Sequence, residues 1–158
     1  MVSPSWQKLV SGENCPFDEP RTISEQQMYR VREMSVSTLF LDRNQAYRGH
    51  CILVFDPRHA VRIDQLTGTE WARFAEDLRS AEIAINTVFK PEHMNVESLG
   101  NIVPHLHWHI IPRYIDDPRW GKPIWTDPQD EMIQVELDSD EYLSLVKTIN
   151  KDIDQRDG

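Results

Sequence analysis

Three histidines, His105, His107 and His109, alternate with Leu106, Trp108 and Ile110 in a chain of 158 residues that holds six histidines in all. In a strand, successive side chains point to opposite faces, so the three imidazoles form one row and the three apolar residues the other. A helix would scatter the imidazoles around its circumference, and Trp and Ile favour the strand. Pro104 suits the first residue of such a strand and Pro112 its far end or an unpaired edge position. Two kinds of chemistry use imidazoles at such spacing. One is metal ligation; the other is nucleophilic and acid–base work by a ring that is neutral near pH 7.

The elements that must position this row are readable in outline. Segments 29–34 and 36–41 read as two strands, and 42–49 as a polar turn. His50 then opens a buried-strand run through Phe55. Thr67 and Glu70 fit a capping box, and Trp71, Phe74, Ala75, Leu78, Ala81, Ile85 and Val88 form the core-facing stripe of a long helix stopped at Lys90-Pro91. Residues 94–98 form a short strand candidate, and 99–101 a turn into the histidine segment. Asp116 to Pro128 is a loop with Trp120 and Trp125, which read either as a lid over a pocket or as apolar anchors of the loop. Asp138 and Glu141 make a second capping box, before a helix with the stripe Tyr142, Val146, Ile149 and Ile153. Residues 1–27, with Pro4, Pro16 and Pro20, read as irregular. This order implies an α+β fold with a mainly antiparallel sheet.

The length suits one domain spanning 1–158, with a core segment of about 36–114 and a C-terminal loop and helix over 115–158. With 39% hydrophobic and 27% charged residues, the composition is that of a globular chain. The net charge of −9 argues against a broad polynucleotide-binding surface but not against a small anionic ligand. No run approaches the ~20 apolar residues of a membrane span, and no secretory signal is evident. Cys15 and Cys51 are too few for a disulfide framework, so a reducing, cytoplasmic location is expected. Asp18 stands where a second cysteine would turn Cys15-Pro16-Phe17-Asp18 into a Cys-x-x-Cys zinc motif; a turn with one buried thiol is the plainer reading.

Neither chemistry is settled by spacing. His105 and His109 lie ~13 Å apart on a strand, so one ion cannot take all three imidazoles, although two of them with His50 or His59 could bind zinc. In the other reading, one imidazole attacks phosphorus while its neighbours stabilise oxygens and protonate the leaving group.

The run His105-Leu106-His107-Trp108-His109-Ile110-Ile111 resembles the signature of the histidine triad family, His-φ-His-φ-His-φ-φ with φ apolar. Gly49-His50 before Ile52-Leu53-Val54 looks like that family's upstream strand with its fourth active-site histidine. Asp42, eight residues before His50, falls where the family holds ribose hydroxyls, and Asn95 and Gly100-Asn101 where it supplies polar phosphate contacts. These matches run over roughly residues 36–114.

The resemblance implies a sheet of about five strands with one long helix and a C-terminal helix. It also implies a homodimer acting on a small nucleotide substrate, with no polynucleotide and no membrane partner. His107 would attack the α-phosphorus of a dinucleoside polyphosphate or an adenylylated compound, and water would release the nucleotide from the covalent nucleotidyl-histidine. His50, His105 and His109 would surround the phosphate, Asp42 would hold the ribose, and Asn95 and Asn101 would contact phosphate. No cofactor and no metal ligand is implied. Transfer to phosphate or another acceptor, and nucleotide binding without turnover, are the alternatives. The chain departs from some branches at Leu99-Gly100-Asn101-Ile102, which is shorter and has Ile102 where they place a hydroxyl residue. The 116–125 extension looks like that of bacterial members; several of these carry Gln at the first triad position, where this chain keeps His105.

Overall fold

A computed structural model describes residues 4–126 and 133–157. Its centre is an antiparallel sheet of β1 (Met28–Glu33), β2 (Ser37–Asp42), β3 (Cys51–Phe55), β4 (His93–Glu97) and β5 (His107–Arg113). The strand order is β1-β2-β3-β5-β4, and every neighbouring pair is antiparallel. Helix α2 (Gly68–Phe89) connects β3 to β4, helix α3 (Ser139–Asp157) follows the sheet, and a short helix α1 (Pro4–Val10) precedes it. This is the expected α+β arrangement.

Alternation explains why the sheet has two unlike faces. Leu39, Leu41, Cys51, Leu53, Phe55 and Ile110 point to one side, where Phe74, Ala81, Ala84 and Ile85 of α2 and Tyr142, Ile149 and Ile153 of α3 complete the main core. Phe40, Ile52 and Val54 point to the other side and pack beneath Phe17 and Ile23 of the N-terminal segment. Farther along that second face, Ile111 packs with Tyr47, Ile124 and Trp125. The histidines of β5 project to this second face.

Both caps read from the sequence form. The Thr67 hydroxyl accepts the Glu70 N–H at 3.2 Å, and the Glu70 carboxylate accepts the Thr67 N–H at 2.8 Å. Asp138 and Glu141 make the same reciprocal pair before α3, at 2.9 and 3.2 Å. Helix α2 ends on Lys90 in a left-handed conformation, φ 49°, its N–H bonded to Asn86.

Three expectations are corrected. Helix α1 occupies part of the region read as irregular; a proline in the first turn pre-sets φ, and nothing from Ser5 to Val10 interrupts the helix. Trp71 is exposed rather than core, because it lies on the first turn of α2, before the helix reaches the sheet. The histidine strand begins at His107, not Pro104. Leu106 instead donates its N–H to Ala60 at 2.6 Å and accepts from Phe55, which leaves His105 on a bend.

Candidate active site

His107 and His109 sit side by side on β5, ring centroids 5.1 Å apart. The register Ile52↔His109 brings the start of β3 alongside, so His50, one residue before that strand, reaches His109. Gly49 makes this approach possible. It has φ +93°, and a Cβ there would meet the Phe89 ring at 2.6 Å.

Hydrogen bonding fixes the chemistry of each ring, because a carbonyl or carboxylate can only accept. His107 Nδ1 lies 2.6 Å from the His105 carbonyl and therefore donates to it, which leaves the lone pair on Nε2. His50 Nδ1 donates to the Asp42 carboxylate at 3.1 Å. Its Nε2 then accepts from His109 Nδ1, also at 3.1 Å. Asp42, His50 and His109 thus form a chain that ends on His109 Nε2.

Burial penalises the charged form of all three rings. His107 is held below the usual histidine range by desolvation, partly offset by the His105 carbonyl and deepened by the His105 ring. Desolvation also lowers His50, against an opposing pull from Asp42. His109 falls to about 2, first from burial and then from facing His50 and His107. The rings are therefore neutral near pH 7.

His107 and His109 line a cavity of about 330 Å³ whose other walls include Phe17, Ile52, Val103 and Trp125. Its mouth carries Leu99, Gly100, Asn101 and Ile102, and Ile102 is two-thirds exposed. Two neutral imidazoles at one end and an apolar wall at the other suit a ligand with a phosphate and a planar, poorly hydrated part.

The sequence-derived residues divide into those brought together and those placed elsewhere. His50, His107 and His109 converge, and Asn101 lines the same cavity. Asp42 is adjacent, but its carboxylate is engaged by His50. The Asn95 side chain accepts from Arg113 at 2.5 Å in a neighbouring cavity lined by His93, Glu97, Arg113, Trp120 and Lys122, so it is not placed at the triad cavity. Its place on β4, across from Ile111 rather than His107, accounts for this.

His105 is the largest departure from expectation. Its Nε2 donates to the Phe55 carbonyl at 2.6 Å, and its Nδ1 faces Asp18 Oδ1 at 3.1 Å and Cys15 Sγ at 3.5 Å. Both ring nitrogens are directed away from the cavity, which does not fit the expectation that His105 surrounds the phosphate. Cys15, Asp18, His59 and His105 together offer four ligand atoms within 4.8 Å of one another, the residues that could hold a metal although no metal ligand was expected.

Two residues that shape the site carry no pattern signal, one in its wall and one behind it. Phe17 packs edge-on against His107, centroids 5.3 Å apart, from a segment with no periodicity. Glu97 accepts the Trp125 indole N–H, which holds that ring 4.9 Å from His109. Trp125 thus takes a place over the site that its loop composition alone left open, whereas Trp120 is exposed beside the second cavity.

Comparison with known proteins agrees with this geometry. The model of the HIT domain matches residues 24–116, more than half of the chain. An asymmetrical bis(5'-nucleosyl)-tetraphosphatase of Schizosaccharomyces pombe is 30% identical over 96 residues, 58% of this chain and 50% of that protein. An uncharacterized HIT-like protein of Methanocaldococcus jannaschii is 29% identical over 82 residues, 49% of this chain and 63% of its own length. The chain thus spans only about half to two-thirds of these curated relatives. The crystal structure of a histidine triad protein from Bradyrhizobium japonicum superposes with a TM-score of 0.72 at 24% identity, covering 82% of this chain and 92% of the other, and so shares the fold. The signature histidines, the five-stranded sheet that carries them and the matching domain agree: this chain belongs to the histidine triad family.

Proposed function

We propose that the protein is a nucleotide hydrolase that cleaves at the α-phosphate of a dinucleoside polyphosphate or an adenylylated compound, through a covalent nucleotidyl-histidine on His107. The observation that carries this reading is the bond from His107 Nδ1 to the His105 carbonyl, which leaves a neutral Nε2 lone pair for the cavity. Such a nitrogen forms a bond to phosphorus as the bond to the leaving oxygen or nitrogen breaks.

The leaving group needs a proton, and His109 is the group beside it. An anionic phosphate against His109 opposes the desolvation that keeps the ring neutral, so the ring gains its charge once substrate is bound. Asp42, through His50, stabilises the resulting imidazolium. After departure the same chain accepts a proton from the attacking water, whose oxygen displaces His107 Nε2 and releases the nucleoside monophosphate. Phe17, Ile52 and Trp125 supply apolar surface for the nucleoside. Asn101 is proposed as a phosphate contact at the mouth. The S. pombe relative, a tetraphosphatase by name, supports the substrate class.

Incubation with diadenosine tetraphosphate and, separately, with adenosine phosphoramidate tests the reading. AMP release from at least one, lost in His107→Ala, is expected. No release from either, or an unchanged rate in the variant, overturns it. Formation of ADP on adding inorganic phosphate would mark a phosphorylase instead.

A further inference from the structure

The last residue of β5, Arg113, continues the row that carries His107 and His109, and it is only 3% exposed. Its Nε donates to Asp117 Oδ2 at 2.6 Å. One terminal nitrogen donates to Asn95 Oδ1 at 2.5 Å and to the Lys122 carbonyl at 2.8 Å, and the other to the Arg119 carbonyl at 2.6 Å. The Tyr47 ring covers the guanidinium, its centroid 5.4 Å from the central carbon. The Asp117 side chain is as buried as that of Arg113, and its other oxygen accepts the Arg119 N–H at 2.7 Å. The Lys122 N–H bonds the Arg119 carbonyl at 2.9 Å and closes a turn whose ends both face the cation. Asn95, which the family resemblance assigns to phosphate, belongs to this cage. The loop after β5 is wound around one guanidinium.

What this loop delivers is Trp125. Ile124 comes just before it and is buried against Tyr47 and Ile111. The Trp125 ring then lies 4.9 Å from that of His109 and 6.3 Å from that of His50, with its indole N–H on Glu97. A buried ion pair is a poor stabiliser, since an apolar pair of like size serves as well without the desolvation cost. A guanidinium supplies geometry instead: its donors lie in one plane, and its fork admits acceptors in a single arrangement. Here those acceptors come from β4, from Asp117 and from the loop backbone. The plane of Arg113 therefore sets the path of the loop against the sheet.

We infer that Arg113 is a positioning residue for the reaction at the histidines, acting through this loop to hold Trp125 against His109 and His50. Its effect on rate rests on the hydrolase reading. Held there, the indole shields the Asp42–His50–His109 chain from water and completes the wall on which the nucleoside lies. A lysine at this position keeps a charge for Asp117, but its three donors radiate from one point and cannot serve all the acceptors of the cage.

In the full chain, Arg113→Lys should lower kcat/KM by roughly 10²-fold on whichever substrate is hydrolysed. In a Trp125→Ala background, itself slowed, the same substitution should cost no more than about a further twofold. Losses that multiply in full would mean that Arg113 acts on the fold at large, and overturn the role. Arg113→Met combined with Asp117→Leu removes both buried charges together, so the urea midpoint should stay near that of the parent while the rate falls as in Arg113→Lys. A parental rate in this double variant overturns the role too. The Trp125 indole N–H, assigned in an NMR spectrum by its loss in Trp125→Phe, reads position without turnover. Arg113→Lys should shift this resonance and speed its exchange with water; an unchanged resonance overturns the inference. A parent protein that releases no AMP fails the hydrolase reading, and the indole resonance then decides the positioning of Trp125 by itself.

Discussion

Burial and the facing His50 and His107 rings hold His109 well below the usual histidine range, and its hydrogen bond to His50 links it to the Asp42 carboxylate. That chain makes a prediction about rate rather than binding. Asp42→Asn keeps the shape but removes the charge that steadies a proton on His50 and His109, so kcat should fall by roughly 10²-fold or more with a smaller change in KM. If Asp42 acted mainly on the ribose, KM would rise instead, and steady-state kinetics on the hydrolysed substrate separate the two. Replacing the nucleophile, as in His107→Ala, should cost on the order of 10⁴-fold or more.

At the scale of elements, Gly49 joins the polar turn after β2 to the strand that presents His50. Its positive φ and contact with Phe89 leave no room for a methyl group. Gly49→Ala should therefore destabilise the fold by about 2 kcal/mol or more, and Phe89→Leu in the same chain should recover part of the loss. Urea unfolding of the single and double variants checks this. Much of the element structure is legible in the sequence. Alternation in β5, the α2 stripe and the Thr67 and Asp138 caps are local patterns, and each acts at short range in the chain. Asn95 lies on the expected face of β4, but it stands opposite Ile111 and its side chain meets Arg113 farther along β5, a matter of strand register that local pattern does not encode. His105 resembles its neighbours by spacing, yet partners 46 to 90 residues away decide what its ring does. Phe17 has no periodic signal, since its place comes from packing on β2 and β3 residues distant in the chain.

For the whole molecule, buried neutral histidines couple folding to pH. His109 is held well below, and His50 below, the ordinary imidazole value of ~6.5 that the unfolded chain has. Above about pH 6.5 neither state binds the proton, and the stability is intact. Below it the unfolded chain takes up protons that the folded one refuses, so stability falls progressively toward the depressed folded values. Going from pH 7.5 to 5.5 should cost about 1 kcal/mol for one such ring, and His109→Leu should flatten the urea midpoint over this range relative to the parent chain. The family resemblance further predicts a homodimer, which sedimentation at twice the 18.5 kDa chain mass would verify. Among the described residues no helix is long and apolar enough to cross a membrane.

The covalent step at His107 is the central claim, and the stereochemistry at phosphorus tests it most directly. A substrate with a single-configuration phosphorothioate at the α-phosphorus, hydrolysed in isotopically labelled water, should give a nucleotide of retained configuration. Two in-line displacements, first by His107 Nε2 and then by water, each invert the centre. Inversion would mean that water attacks directly, and would contradict the nucleotidyl-histidine.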